Sequence, residues 1–214
     1  LRLGVLVSGT GTNLQALIAA CREPGFPAEV ASVIANRPDA HALKRATDAG
    51  IPAAVIDHRD FAERADFDAA LHARLEADGI GLVCLAGFMR LLTEGFVEAW
   101  RDRVVNIHPS LLPAFQGRHP HERALAAGVR FTGCTVHFVR PEMDQGPIIV
   151  QAAVPVRADD TVESLRERVL SAEHRCYPFA VRLIAEGRVS VVNERVVVRD
   201  GEAPRAAVLN PRES

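Results

Sequence analysis

The sequence predicts an α/β fold, a mostly parallel twisted sheet with helices on both faces and a mixed, antiparallel C-terminal edge. Three observations predict it. Over the first two thirds of the chain, short apolar runs alternate with segments whose apolar residues recur at helical spacing. That is the pattern of right-handed βαβ units. Runs such as Val5-Leu6-Val7 and Leu82-Val83-Cys84-Leu85 are apolar at every position, as strands covered on both faces are. After about residue 130, two apolar segments are joined only by the short turn Pro141–Gly146, which suits antiparallel neighbours.

The elements follow in order. Leu3–Val7 is a strand that ends in a glycine-rich turn, and Asn13–Arg22 is a helix with Leu14, Leu17 and Ile18 on one face. Glu29–Ala35 is a second strand. Ala40–Ala49 is a helix stopped by Gly50, a residue suited to a helix C-terminus. Ala53–Ile56 is a third strand, and Asp66–Asp78 is a helix with Phe67, Leu71 and Leu75 every four residues. Leu82–Ala86, Phe96–Trp100 and Arg103–Ile107 continue as strand, helix and strand. Cys134–Val139 and Pro147–Val156 are the later strands. Thr161–Glu186 holds a long helix with Leu165, Val169, Ala172 and Cys176 in register, an interruption at Pro178, and Asp159 or Asp160 as its cap. Val189–Val192 and Arg195–Val198 form a terminal hairpin around Asn193-Glu194.

The 214 residues suit one domain, 1–200, with a polar, frayed tail over 201–214. Hydrophobic residues at 48% and charged residues at 24% are ordinary for a globular chain, which excludes disordered, collagen-like and disulfide-scaffold classes. A net charge of −2 gives no electrostatic footprint for nucleic acid. Four scattered cysteines form no C-x-x-C pair and suit a reducing compartment. No apolar run reaches the ~20 residues of a membrane span. The N-terminal run is too short for a secretion signal. A cytoplasmic location with no membrane partner is expected.

Two places carry chemistry. Ser8-Gly9-Thr10-Gly11-Thr12-Asn13 joins the first strand to the first helix. Free backbone N–H groups and the positive helix end make such a turn an anion site, most often for phosphate. The dinucleotide fingerprint fails, because Leu14 stands where a third glycine is needed and Asn36-Arg37 ends the second strand instead of an acid. Arg37 leaves open a 2′-phosphate, and a ligand-free tight turn is the bland alternative. The second place is Asn106-Ile107-His108-Pro109-Ser110-Leu111-Leu112-Pro113, leaving the fifth strand. Asn106 and His108 share one strand face. An amide N–H donor beside an imidazole suits acyl transfer, one stabilising an oxyanion and the other moving a proton. Asp144, in the later turn, suits a carboxylate partner for His108 or simple turn chemistry. No zinc-type spacing exists among the histidines, so no metal is expected, and His137 reads as a satisfied core residue or one behind the site. Leu85-Ala86-Gly87-Phe88-Met89-Arg90-Leu91-Leu92 suits a pocket for a flat ring or plain core packing.

Ser8-Gly9-x-Gly11-x-Asn13-Leu14, Ala86–Arg90, Asn106–Pro113, Gly133-x-Thr135-Val136-His137 and Asp144-x-Gly146-Pro147 occur in that order. Together they resemble the phosphoribosylglycinamide formyltransferases of purine biosynthesis, monofunctional bacterial type, over about residues 3–200. The Asn106–Pro113 segment with Asp144 marks the wider 10-formyltetrahydrofolate hydrolase/transferase family. The glycine-rich turn with Glu173 narrows the likeness. The resemblance implies a Rossmann-like formyltransferase fold and transfer of a formyl group from 10-formyltetrahydrofolate, a co-substrate, to the amine of N1-(5-phospho-D-ribosyl)glycinamide. Asn106, His108 and Asp144 would be catalytic. Gly11, Thr12, Asn13 and Glu173 would hold the ribonucleotide. Arg64, Leu85, Met89, Arg90, Leu91, Leu92, Asn106, Arg140, Pro141, Glu142 and Met143 would bind the folate, with Arg140–Met143 closing over it. Gln116–His121 matches a segment that moves in relatives, with His119 and His121 near the substrate. Leu170 departs from the polar residue expected there. Partners would be small molecules only, the chain a monomer or weak homodimer. The rivals are a formyltetrahydrofolate deformylase, which passes the formyl group to water, a methionyl-tRNA or sugar-amine formyltransferase, and a silent phosphate- or folate-binding module. The first two enzyme types carry further domains for which 214 residues leave no room.

Overall fold

The structure, a computed structural model, describes residues 1–204 and 206–211. Fifteen elements follow one another: β1 (Arg2–Val7), α1 (Thr12–Cys21), β2 (Glu29–Ala35), α2 (His41–Asp48), β3 (Ala53–Val55), α3 (Arg64–Ala77), β4 (Leu82–Leu85), α4 (Glu94–Ala99), β5 (Val104–His108), α5 (Pro120–Ala126), β6 (Phe131–Phe138), β7 (Ile148–Pro155), α6 (Val162–Ala185), β8 (Val189–Val192) and β9 (Arg195–Val198). A single 3-10 turn at His58–Asp60 follows β3.

Seven strands form one sheet in the order β3-β2-β1-β4-β5-β6-β7. β3 through β5 are parallel, and β6 and β7 are antiparallel additions. β8 and β9 make a separate antiparallel hairpin. The mixed C-terminal edge predicted from the change of pattern is therefore present. The strand order reverses between β1 and β4. In open α/β sheets that reversal opens a crevice outside the carboxyl ends of the strands.

The apolar runs are buried on both faces because each face has its own helical layer. Leu3, Val5 and Val7 of β1 join Cys84, Val105 and Ile107 under α1, α2 and α6. Leu6, Val83, Leu85 and Val104 face the other way, against Phe67, Leu71 and Leu75 of α3 and Phe96 of α4. Tyr177 fastens α6 to the middle of the sheet. Its fully buried hydroxyl donates to the carbonyls of Leu85 (3.0 Å) and Val105 (3.2 Å), on two adjacent strands that end at the crevice.

Several expectations are corrected. Pro178 does not interrupt α6, which runs unbroken past it. Burial of Tyr177, Pro178, Ala180 and Val181 against the sheet offsets the lost helical hydrogen bond. Neither Asp159 nor Asp160 caps that helix. Thr161 does, in a reciprocal pair with Ser164, while Asp160 is held by Arg168 and the Ser164 hydroxyl. β6 starts at Phe131, earlier than the alternation suggested. The seven-residue α5 escaped notice because only Ala124 and its neighbours supply an apolar face. The tail is tied down at Asn210, whose amide donates to the carbonyls of Arg130 (2.5 Å) and Val156 (2.9 Å). Residues 205 and 212–214 of that tail lie outside the described residues.

Tyr177→Phe removes the one donor shared by the two strands and leaves buried carbonyls short of a partner. The expected cost is about 1–2 kcal/mol, read as a lower urea midpoint with an unchanged denaturant slope.

Candidate active site

β5 lies between β4 and β6, so its residues meet partners on both sides. Asn106 is opposite Leu85 on β4 and His137 on β6, and His108 is opposite Thr135. Strand alternation puts Asn106 and His108 on the α3/α4 side of the sheet and Ile107 on the α6 side. The chain after His108 is held by a buried hydroxyl. Thr135 Oγ1 donates to the Ser110 carbonyl (2.7 Å) and accepts from the Leu112 N–H (3.0 Å).

Asp144 reaches this pair from the β6–β7 turn. Gly146 lets the turn lie flat, since a Cβ there would sit 1.7 Å from the Phe138 carbonyl oxygen. The Asp144 backbone is left-handed at φ 56°. Its Oδ2 is 3.4 Å from His108 Nδ1 and accepts the Gly117 N–H at 2.8 Å, and its Oδ1 is 3.8 Å from His137 Nε2. His108 Nε2 is 3.0 Å from the Phe115 carbonyl. A carbonyl only accepts, so Nε2 carries a proton. Nδ1 faces the Asp144 carboxylate, and that contact becomes an ion pair when Nδ1 holds a proton as well.

His137 completes the cluster. Its Nδ1 donates to the Phe138 carbonyl at 2.9 Å. That leaves the Nε2 lone pair to accept from Asn106 Nδ2 at 3.3 Å. Burial pushes this imidazole below its ordinary pKa, against the pull of the Phe138 carbonyl and Asp144. The ring is thus a neutral acceptor that orients the Asn106 amide. One amide proton is used on His137, and the other is left for an oxygen in front of the strand end.

A cleft of about 970 Å3 opens on the other side of β5 and is lined there by Ile107 and Pro109. It spans the strand-order reversal, from the glycine-rich turn after β1 to the Gly87–Arg90 loop after β4. The Ser8 hydroxyl accepts the Met89 N–H at 2.8 Å and ties the two loops together. Gly11 has φ 72°, and a Cβ there would come within 2.6 Å of the Ala42 Cβ. Position 11 therefore requires glycine on two counts. The first amides of α1 face the cleft, and Asn13 Nδ2 donates to Glu173 Oε2 at 2.6 Å, joining α1 to α6. Asn13 Oδ1 is buried without a partner among the described residues. Burial raises the Glu173 carboxyl above its ordinary range, and the Asn13 hydrogen bond and Arg166 oppose the rise.

The sequence-derived residues are thus partly gathered. Gly11, Thr12, Asn13 and Glu173 line the cleft with Met89 and Arg90, and Asn106, His108 and Asp144 meet beside it. Leu85 and Leu92 belong to the apolar layer over α3, whereas Met89 and Leu91 are exposed. Arg64 starts α3 at the surface, outside the cleft lining. Arg140 is buried and occupied by Asp102 (2.7 Å) and Glu194 (2.6 Å). Pro141, Glu142 and Met143 are exposed, with the Met143 sulfur next to Gly117. His121 and Arg166 also line the cleft. Arg37, considered for a 2′-phosphate, is paired with Asp39. Among the described residues, no group of His, Cys, Asp or Glu is placed to hold a metal ion, and no helix is long and apolar enough to cross a membrane.

Comparison with known proteins adds a family. The formyl transferase family profile matches residues 1–181. The chain is 39% identical over 210 residues to the phosphoribosylglycinamide formyltransferase of Haemophilus influenzae, covering 98% of this chain and 99% of the relative. It is 52% identical over 190 residues to the trifunctional purine biosynthetic protein adenosine-3 of Gallus gallus, covering 89% of this chain but only 19% of that much longer protein. The crystal structure of glycinamide ribonucleotide transformylase 1 from Symbiobacterium toebii superposes with a TM-score of 0.91 at 54% identity, covering 93% of this chain and 94% of the other.

The Glu173 environment makes a stability prediction. A carboxyl with a raised pKa in the folded state contributes fully below its unfolded pKa. It loses that contribution as pH rises through its folded value. Glu173→Gln keeps an acceptor for Asn13 and removes the charge. Its melting temperature should exceed that of the wild type at pH 8, and thermal melts should show the gap closing towards pH 4.5.

Proposed function

The chain belongs to the formyl transferase family, and on that premise we propose that it transfers the formyl group of 10-formyltetrahydrofolate to the amine of N1-(5-phospho-D-ribosyl)glycinamide. One observation carries this reading. An acyl-transfer cluster, Asn106, His108 and Asp144, stands at the strand end next to a cleft whose far wall is an anion-binding glycine turn. The first fits a formyl carbon, and the second fits a phosphate.

The amine of the ribonucleotide attacks the formyl carbon and forms a C–N bond. The carbonyl π electrons move to oxygen, and the free amide proton of Asn106 donates to that oxyanion. His108, held by Asp144, supplies a second N–H once it leaves the Phe115 carbonyl. The proton lost by the amine reaches N10 of the folate through water near Asp144. The C–N10 bond then breaks, and N-formyl product and tetrahydrofolate leave. The apolar surface of Leu85 and Leu92 and the main chain of residues 89–92 suit the flat pteridine. Gly11, Thr12 and Asn13 cradle the phosphate, and Glu173 accepts from ribose hydroxyls. Arg140 is tied to Asp102 and Glu194, so any part it plays toward folate is through its backbone. Small molecules are the proposed partners and the cytoplasm the proposed compartment.

The test is formyl transfer from 10-formyltetrahydrofolate to the ribonucleotide, measured beside release of formate. Product and tetrahydrofolate should appear in equal amounts, and formate release independent of the amine would replace this reading with a hydrolase. In the same assay Asn106→Ala should lower kcat by about 10²–10³-fold. Near-wild-type turnover would remove the oxyanion role.

A further inference from the structure

The glycine-rich turn offers a phosphate only neutral amides and the partial charge of a helix end. A bound phosphate dianion calls for a full counter-charge close by. Four arginines line the cleft: Arg37, Arg59, Arg90 and Arg166. Arg37 is already neutralised by Asp39 and Arg59 by Asp57. Arg45, beside the turn, is spent on the Thr10 carbonyl and Gln15. Arg90 stands on the loop after β4, towards the proposed folate side.

Arg166 differs from the three paired arginines, and from Arg90, which is likewise unpaired among the described residues, by standing on the wall that faces the glycine-rich turn. It forms no ion pair or hydrogen bond among the described residues, although the Glu173 carboxyl feels its charge. It stands on α6 four residues before Leu170 and seven before Glu173, so all three share one face of the helix. All three line the cleft with Gly9–Asn13. The Asn13–Glu173 hydrogen bond sets that face directly across from the start of α1. Two polar atoms on the same walls are unpaired among the described residues, and of these the Asn13 amide oxygen, an acceptor, suits a hydroxyl of the substrate beside its phosphate. Asn13 Oδ1 is buried and unpartnered, and so is Nδ1 of the half-buried His121. Leu170, one turn along, cannot contribute charge.

We infer that Arg166 is the cation that binds the substrate's phosphate group, reaching it from one helical turn before the apolar position 170. This rests on the reading of the glycine-rich turn as a phosphate site. Arg166 takes no part in formyl chemistry, so it acts on substrate affinity and on the preference for a phosphorylated substrate.

The experiment compares wild type, Arg166→Ala and Arg166→Lys on two amines, the phosphorylated ribonucleotide and the same compound without its phosphate. Arg166→Ala should raise KM for the ribonucleotide about 10–100-fold, the range for one charged hydrogen-bond pair. The kcat should stay within about 3-fold, and kinetics with the dephosphorylated amine should not change. Arg166→Lys should recover part of the loss. Thermal melts should coincide, because the side chain is exposed. An active Arg166→Ala enzyme with unchanged KM, or one impaired equally on both amines, overturns the proposal and leaves the glycine-turn reading intact. A wild type that does not distinguish the two amines overturns both.

Discussion

A carboxylate taken out of water must be met by donors, and in this molecule that carboxylate is Asp144. Its side chain is 9% exposed and is met by the Gly117 amide and by His108, with the neutral His137 ring packed beside it. Burial of an ion is costly unless these contacts hold together. Four stretches of chain are therefore brought together: the end of β5, the loop at 115–117, the end of β6 and the β6–β7 turn. Left-handed residues at Phe115, Gly117 and Asp144 bend the loop and turn into that arrangement. The sheet itself supplies the rest, because β6 pairs with β5 in the one register that sets His137 against Asn106.

Periodicity alone made most of the sheet legible. Strands covered on both faces have to be apolar throughout, so β1 and β4 announced themselves, and Phe67, Leu71 and Leu75 marked α3. The Asn106/His108 pairing was readable because two residues of separation share a strand face. Asp144 was readable both as a turn residue and as a carboxylate partner for His108, and the choice between the two came from family likeness. What stayed hidden depends on long-range geometry. The proton of His137 is directed by the carbonyl of its own neighbour, and the role of Phe115 is played by a carbonyl that every residue possesses. The family likeness named Arg140 without saying that its side chain is taken up by Glu194 of the β8–β9 hairpin, a long-range contact no local pattern announces. Arg166 was within reach of a helical count back from Glu173, but a surface arginine on a long helix has no distinguishing local signal.

β5 acts as a partition. On one side of it lies the cluster suited to moving a formyl group, and on the other lies the cleft suited to an anion. In the proposed reaction the two substrates approach from different sides, and their reacting atoms meet only past the end of the strand, where the partition stops. A rigid strand flanked by two neighbours keeps that meeting point constant while the loops on either side adjust.

Pro178 gives α6 a mechanical character beyond its packing. With no amide at that position, the carbonyl of His174 lacks its helical donor. The missing rung lies between two parts of the helix with different anchors. Both parts bury a face in the core, Leu165 and Val169 before the gap and Ala180 and Val181 after it, and the N-terminal part also carries Arg166, Leu170 and Glu173 to the cleft. A helix with an intact ladder transmits a push along its whole length. One missing rung lowers the bending stiffness at that point, and the buried side chains of Leu165 and Val169 are what keep the cleft-facing part in place despite it.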